Sequence, residues 1–182
     1  MMDSSTPLQP GAAIGILGGG QLGRMLALAG ARLGFDVHVF DPEPNCPAAR
    51  VCDRAWSAPW SDLGAVEGFA GKCAAVTFEF ENVPLAALKA AAGAAPVRPG
   101  ARSLELTQDR VTEKDFINGL GIPTAPWAAV DSLEGLKTAL EAVGAPAILK
   151  TRRFGYDGKG QARLKTADDA ARAWDEIGGQ PA

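Results

Sequence analysis

Two glycine-dense strings in this sequence have the residue types and spacing to hold phosphate. The first, Gly18-Gly19-Gly20-Gln21-Leu22-Gly23, fits G-x-G-x-x-G. Backbone N–H groups at such a turn, with the positive end of a helix beginning there, attract an anion without any side-chain charge. The second runs from Ile148-Leu149-Lys150-Thr151-Arg152-Arg153 into Phe154-Gly155-Tyr156-Asp157-Gly158-Lys159-Gly160-Gln161. A lysine at a strand end, followed by a flexible cationic loop, neutralises adjacent phosphates while the loop folds over them. Each charged hydrogen bond of that kind contributes roughly 1.5–3 kcal/mol. The string is not a Walker loop, since G-x-x-x-x-G-K-[ST] is absent, and Tyr156 alone offers little platform for stacking bases. ATP is the guest that this chemistry suits.

Acidic residues accompany the first string. Asp41 follows an apolar run at the place where a dinucleotide-binding domain keeps the acid that holds ribose hydroxyls. The glycine turn by itself therefore fits a nicotinamide dinucleotide, another phosphorylated ligand, or simple close packing of a strand on a helix. Phe78-Glu79-Phe80-Glu81-Asn82 ends a further apolar run, on the same sheet edge as the glycines if the strands are parallel. Carboxylates there contribute nothing to a pyrophosphate, but they accept hydrogen bonds from ribose hydroxyls or a ring amine. Glu79, between two phenylalanines, is the candidate for that role; Glu81 reads equally well as an exposed loop acid. His38, the sole histidine, alternates with Val37 and Val39 in a strand pattern and reads as structural. With no second histidine and no clustered cysteines, no transition-metal site is indicated.

Hydrophobic periodicity supplies the elements that would position these residues. Ala13 to Leu17 reads as a strand, and Leu22, Met25, Leu26, Ala29 and Leu33 recur at helical spacing after it. Phe35–Phe40, Ala74–Phe78 and Pro96–Val97 read as further strands, separated by helical patterns around Leu63–Ala70 and Leu85–Ala92. That alternation predicts a parallel sheet covered by helices, a Rossmann-like domain over residues 13–100 behind a disordered tail of residues 1–12. A helical region then runs through Leu104, Val111, Phe116 and Leu120 and stops at Gly121 and Pro123. Beyond it, Trp127–Val130, Ala147–Lys150 and Gln161–Lys165 read as strands. Leu133, Leu136, Leu140 and Val143 mark one helix, and Ala170, Trp174 and Ile177 another. The expected class is α/β, a Rossmann-like domain followed by an α+β part over residues 101–182. Trp56, Trp60 and Trp127 are expected to fill core or domain contacts.

Composition narrows the setting. A net charge of −3 leaves no global positive field to gather nucleic acid or an anionic membrane. Cys46, Cys52 and Cys73 form no C-x-x-C pair, which fits a reducing cytoplasm. No run of apolar residues is long enough to span a bilayer, and the leader lacks the pattern of an export signal.

Five strings in order, GGGQLGRML, FEFENV, DRVTEKDF, IPTAPW and ILKTRRFGYDGKGQ, resemble the 5-(carboxyamino)imidazole ribonucleotide synthase family of ATP-grasp enzymes over nearly the whole chain after Gly11. The resemblance implies an ATP-dependent carboxylation of 5-aminoimidazole ribonucleotide by bicarbonate, in purine biosynthesis. It assigns ATP to Arg110, Lys150, Gly155, Tyr156, Asp157, Gly158, Lys159, Gly160 and Gln161. The ribonucleotide's phosphate falls to Gly20, Gln21 and Leu22, and its ribose or ring to Glu79. Tyr156 is also the candidate for contact with the reacting substrate, with a packing role at the loop hinge as the alternative. Members of the family extend well beyond this length, so the second domain is expected to be incomplete, with Mg²⁺ ligands beyond residue 182, a homodimer when full length, and no turnover by this chain alone. A dinucleotide-binding oxidoreductase or regulatory domain and a non-catalytic ATP-sensing module are the competing readings.

Overall fold

The computed structural model describes residues 7–155 and 158–182. The chain divides into two compact units, one ending at Glu105 and one running from Leu106 to Ala182.

In the first unit the order is β1 (Ala13–Leu17), α1 (Gln21–Arg32), β2 (Asp36–Phe40), β3 (Arg54–Trp56), α2 (Leu63–Ala70), β4 (Ala75–Phe78), α3 (Leu85–Ala94) and α4 (Ala101–Thr107). The four strands form one parallel sheet in the order β3-β2-β1-β4. Both faces of that sheet are covered, which is why β1 is apolar throughout and why Val37, Val39 and Phe40 of β2 are buried. One face packs Ile16, Val37 and Val39 with Ala27 of α1 and with Cys46 and Ala48. The other packs Leu17, Phe40 and Val76 with Val66 and Phe69 of α2 and with Leu88 of α3. Phe40 lies 5.3 Å from Trp60 and 5.6 Å from Phe69 between ring centroids, and Trp56 stands edge-on to Phe69 at 6.2 Å.

Two details of the sheet depart from expectation. Pro96–Val97 contributes only a bridge from Val97 to Val76, because Pro96 has no N–H to donate and Pro99 follows closely. β3 has no forecast at all; its three residues include exposed Arg54 and Ala55 and are too few to show a period.

The second unit holds α5 (Arg110–Gly119), α6 (Leu133–Val143), the antiparallel pair β5 (Ala147–Lys150) and β6 (Gln161–Leu164), and α7 (Ala170–Glu176). Leu136 and Leu140 of α6 and Ala170 and Ala173 of α7 close over Leu149, Ala162 and Leu164 on one face of the hairpin. Asp109 caps α5 by accepting from the Val111 and Thr112 N–H groups, and Ser132 caps α6 through the Gly135 N–H. The strand expected at Trp127–Val130 is not formed. Only Val130 exchanges ladder-like bonds, donating to and accepting from Ala182 at 2.9 Å each, and Pro126 interrupts the donors before it.

Candidate functional site

All strands of the first unit are parallel, so their C-terminal ends share one edge, and β1 lies between β2 and β4 at the point where the strand order reverses. Such a switch point opens a crevice beyond the strand ends. The glycine turn leaves β1 there. Gly18 has φ +103°, and a Cβ on Gly18 or Gly20 would come to about 3 Å or less from the Glu79 carboxyl group. Gly23 is required because a side chain there would strike the Gly18 carbonyl oxygen. The turn thus fits tightly under Glu79, which enters from the end of β4.

The turn's donors are divided between protein and solvent. Asp41 Oδ2 accepts the Gly19 N–H at 2.7 Å and Glu79 Oε1 accepts the Gly20 N–H at 3.1 Å. The Gln21 and Leu22 N–H groups, in the first turn of α1, have no acceptor among the described residues. Burial pushes the Glu79 carboxyl above its ordinary range. The Gly20 N–H opposes that rise, while repulsion from Asp41 and Glu81 adds to it. Gly20, Gln21, Leu22 and Glu79 are therefore brought together at one edge. Asn82 sits just beyond them in the chain, its Oδ1 buried without a partner among the described residues, and sequence reasoning did not single it out.

His38 lies inside β2, half-buried, with Nδ1 3.8 Å from the Cys73 thiol. Burial and the Arg54 charge hold its pKa down, against the opposing pull of Asp36 and Asp53.

The second unit builds a groove of about 470 Å³ whose lining is mostly apolar, with basic side chains among it. Arg110, Lys114 and Lys150 line it together with Trp127, Ile148 and Leu149. Arg110 reaches across to the glycine-rich loop, its Nε donating to Thr151 O at 3.2 Å and its Nη2 donating to Gly155 O. A guanidinium has further donors to offer an anion. Gly158 and Gly160 have φ of +80° and +61°, and a side chain at Gly160 would collide with Thr151, so the loop's path requires both glycines. Gln161 pairs in register with Lys150 at the root of the hairpin. Gly155, Gly158, Lys159 and Gly160 follow the same loop; Tyr156 and Asp157 lie outside the described residues. Lys114 was not foreseen, although its position four residues after Arg110 puts it on the same face of α5.

Asp109 and Arg152 form an ion pair next to Arg110, Nη2 to Oδ2 at 2.9 Å. Burial raises the Asp109 pKa, but the Arg152 hydrogen bond and the Thr112 and Val111 N–H groups outweigh it and leave the carboxyl below its ordinary value.

Residues 12–108 match the family model of the ribonucleotide synthetase pre-ATP-grasp domain. The chain belongs to the ribonucleotide synthetase pre-ATP-grasp family. Residues 115–182 of this pre-ATP-grasp chain match the ATP-grasp domain model. The chain is 49% identical to the N5-carboxyaminoimidazole ribonucleotide synthase of Brucella melitensis over 179 residues, which are 97% of this chain and 49% of that protein. It superposes on the N5-carboxyaminoimidazole synthetase of Staphylococcus aureus complexed with ADP with a TM-score of 0.89 at 36% identity, covering 96% of this chain and 47% of that one. The corresponding synthase of Aspergillus clavatus, in complex with ADP and 5-aminoimidazole ribonucleotide, gives 0.80 at 29% identity, covering 94% and 45%. The pre-ATP-grasp chain spans about half the length of the curated relatives it matches.

Proposed function

We propose that this chain provides the ribonucleotide-binding wall and one ATP-binding wall of an enzyme that carboxylates the amine of 5-aminoimidazole ribonucleotide, using bicarbonate and ATP. The observation that carries the reading is the coexistence of two anion cradles of different design. One is a helix start with two vacant N–H groups beside a desolvated carboxyl, and the other is a groove carrying Arg110, Lys114 and Lys150 next to a glycine-rich hairpin.

The division of labour follows from the chemistry of each cradle. Gln21 and Leu22 hold the ribonucleotide phosphate, whereas Gly20, expected to share it, has its N–H engaged by Glu79, and Glu79 accepts from the ribose or ring. Arg110 and Lys150 neutralise ATP phosphates, and the loop from Gly155 to Gln161 excludes water from a labile acyl phosphate. ATP, once bound, supplies the phosphoryl group that turns a bicarbonate oxygen into a leaving group. Among the described residues no group of three or more His, Cys, Asp or Glu side chains could hold a metal ion. Three free cysteines fit a reducing compartment, and no described helix is long and apolar enough to cross a membrane.

A dinucleotide reading has less support, because the Asp41 carboxylate that would hold a ribose is engaged on the Gly19 N–H. The test is to titrate the chain calorimetrically with 5-aminoimidazole ribonucleotide, ATP and NADH. A chimera of this chain with the second half of the Brucella melitensis relative is then assayed for ADP release dependent on bicarbonate and ribonucleotide. Ribonucleotide binding and dependent ADP release are expected; NADH binding with indifference to the ribonucleotide would remove the proposal.

A further inference from the structure

We propose that Asp41 determines which phosphates the glycine turn accepts, admitting a monophosphate and rejecting a diphosphate. The inference deepens the reading of the turn as the ribonucleotide phosphate site and rests on it for the natural ligand, though not for its test.

An acid at the end of the second strand of a dinucleotide-binding sheet faces the ribose, leaving the glycine N–H groups to the pyrophosphate. Here the acid has moved one step inward. Asp41 Oδ2 accepts from Gly19 N at 2.7 Å, and Oδ1 accepts from Glu43 N at 2.8 Å, so the carboxylate is held from both sides. Gly19 is fixed in its turn from other directions: its carbonyl accepts the Ala48 N–H at 2.9 Å, and Cys46 fills the space where a Cβ would go. The neighbouring donor, Gly20 N–H, carries Glu79. Two successive N–H groups of the phosphate-binding turn are thus already occupied by negative charge, and the donors left over are those of Gln21 and Leu22.

Two adjacent N–H groups at a helix start suffice for one phosphate. A second phosphate extending back along the turn would meet the Asp41 and Glu79 carboxylates in place of donors, and like charges at such range repel strongly where water is partly excluded. Elsewhere on a helix N-terminus the more highly charged pyrophosphate should bind better than orthophosphate. At this turn the order is reversed, and Asp41 is the cause. It acts as a specificity residue through the charge it places on Gly19, whereas Glu79 faces the ligand itself.

The experiment follows the ¹H–¹⁵N amide shifts of Gln21 and Leu22 in the 182-residue chain during titration with orthophosphate and with pyrophosphate. In the wild type, orthophosphate should move both amides with an apparent affinity at least about fivefold tighter than pyrophosphate. Asp41→Asn keeps an acceptor for Gly19 and removes the charge, and it should bring pyrophosphate level with orthophosphate or ahead of it. Tighter pyrophosphate binding by the wild type, no shift with either ion, or an unchanged ratio in Asp41→Asn would each overturn the proposal. Should the variant lose its dispersed spectrum, the wild-type comparison decides alone. A third titration with 5-aminoimidazole ribonucleotide separates the two ideas: phosphate selectivity without any response to the ribonucleotide leaves the role of Asp41 standing and removes the substrate assignment.

Discussion

Asp109 and Arg152, 43 residues apart in the second unit, are joined by a forked ion pair, with Arg152 Nη2 2.9 Å and Nε 3.0 Å from Asp109 Oδ2. The same carboxylate caps α5, and the backbone N–H of the next residue, Arg110, donates to Arg152 O at 3.1 Å. One side chain therefore fixes the start of the helix that carries Arg110 and Lys114 to the root of the loop that follows Lys150.

Replacing Asp109 should loosen this arrangement in a graded way. Asp109→Ala loses cap and ion pair together and should cost the second unit about 1–3 kcal/mol. Asp109→Asn keeps the cap and should cost less than half of that. Because the folded carboxyl lies below its ordinary value of 3.8, its contribution is complete above that pH and is lost as the pH falls through the lower folded value. Urea unfolding at pH 7 and at pH 3 measures both effects: the deficit of Asp109→Ala should shrink at the lower pH. A deficit that holds constant would show that the pair contributes nothing through charge.

Lys114 offers a test of the groove that family resemblance did not supply. Lys114→Ala and Lys150→Ala should each weaken ATP binding roughly ten- to hundredfold, as expected for loss of a charged hydrogen bond. Neither should alter binding of 5-aminoimidazole ribonucleotide. Calorimetry with each ligand checks this, and an unchanged ATP affinity for Lys114→Ala would place that residue outside the site.

Gly23 has no room for a side chain against the Gly18 carbonyl. Gly23→Ala should destabilise the first unit by about 1–3 kcal/mol, the usual range for overpacking, and weaken the ribonucleotide by disturbing Gln21 and Leu22. Gly68→Ala, on α2 with open space around it, is the control and should be neutral or slightly stabilising.

Glu79 should give stability a dependence on pH opposite to that of Asp109. Its folded pKa lies above the ordinary value of 4.5, so the folded chain holds the proton more tightly than the unfolded one. Stability from this residue is present below 4.5 and declines as the pH rises through the folded value. Glu79→Gln should remove that decline, so the variant gains on the wild type between pH 4 and pH 7 in thermal unfolding. Parallel profiles would mean that Glu79 is ordinarily solvated.

The thiol of Cys73, half-buried beside His38, is pushed up by that burial to about 11 from 9.0. Its thiolate fraction at pH 8 should be about a hundredfold below that of an ordinary cysteine, and alkylation by iodoacetamide should slow in proportion. Mass spectrometry of a timed labelling course measures it; rapid labelling of Cys73 would show an accessible, ordinary thiol.

Much of the architecture was legible from periodicity because both faces of the first sheet are buried. The run Ile14–Leu17 has no polar residue, Val37, Val39 and Phe40 are interrupted only by half-buried His38, and Gly18 to Gly23 mark where strand becomes helix. The short or interrupted pieces were not legible. β3 depends on pairing with β2, which no local pattern announces, and Trp127–Val130 has strand-like residues without a continuous partner. At the site, spacing placed Glu79 on the edge of the glycine turn. It could not tell that Asp41 faces the backbone of Gly19 instead of a ligand, since that depends on how the chain turns after Phe40. Lys114 was hidden among the ordinary charges of an exposed helix, where only its spacing from Arg110 distinguishes it.

The two sheets also differ in what each must wait for during synthesis. The hairpin of β5 and β6 closes over a short local loop, so its ladder can form as soon as both strands have emerged. In the first sheet, Ile14 pairs with Ala75 as well as with Val37, and the crossovers between them must be laid down first. Until Phe78 has left the ribosome, the apolar edge of β1 stands open. During that interval the nascent chain is most exposed to pairing with a neighbouring copy, and a chaperone would have most reason to hold it there.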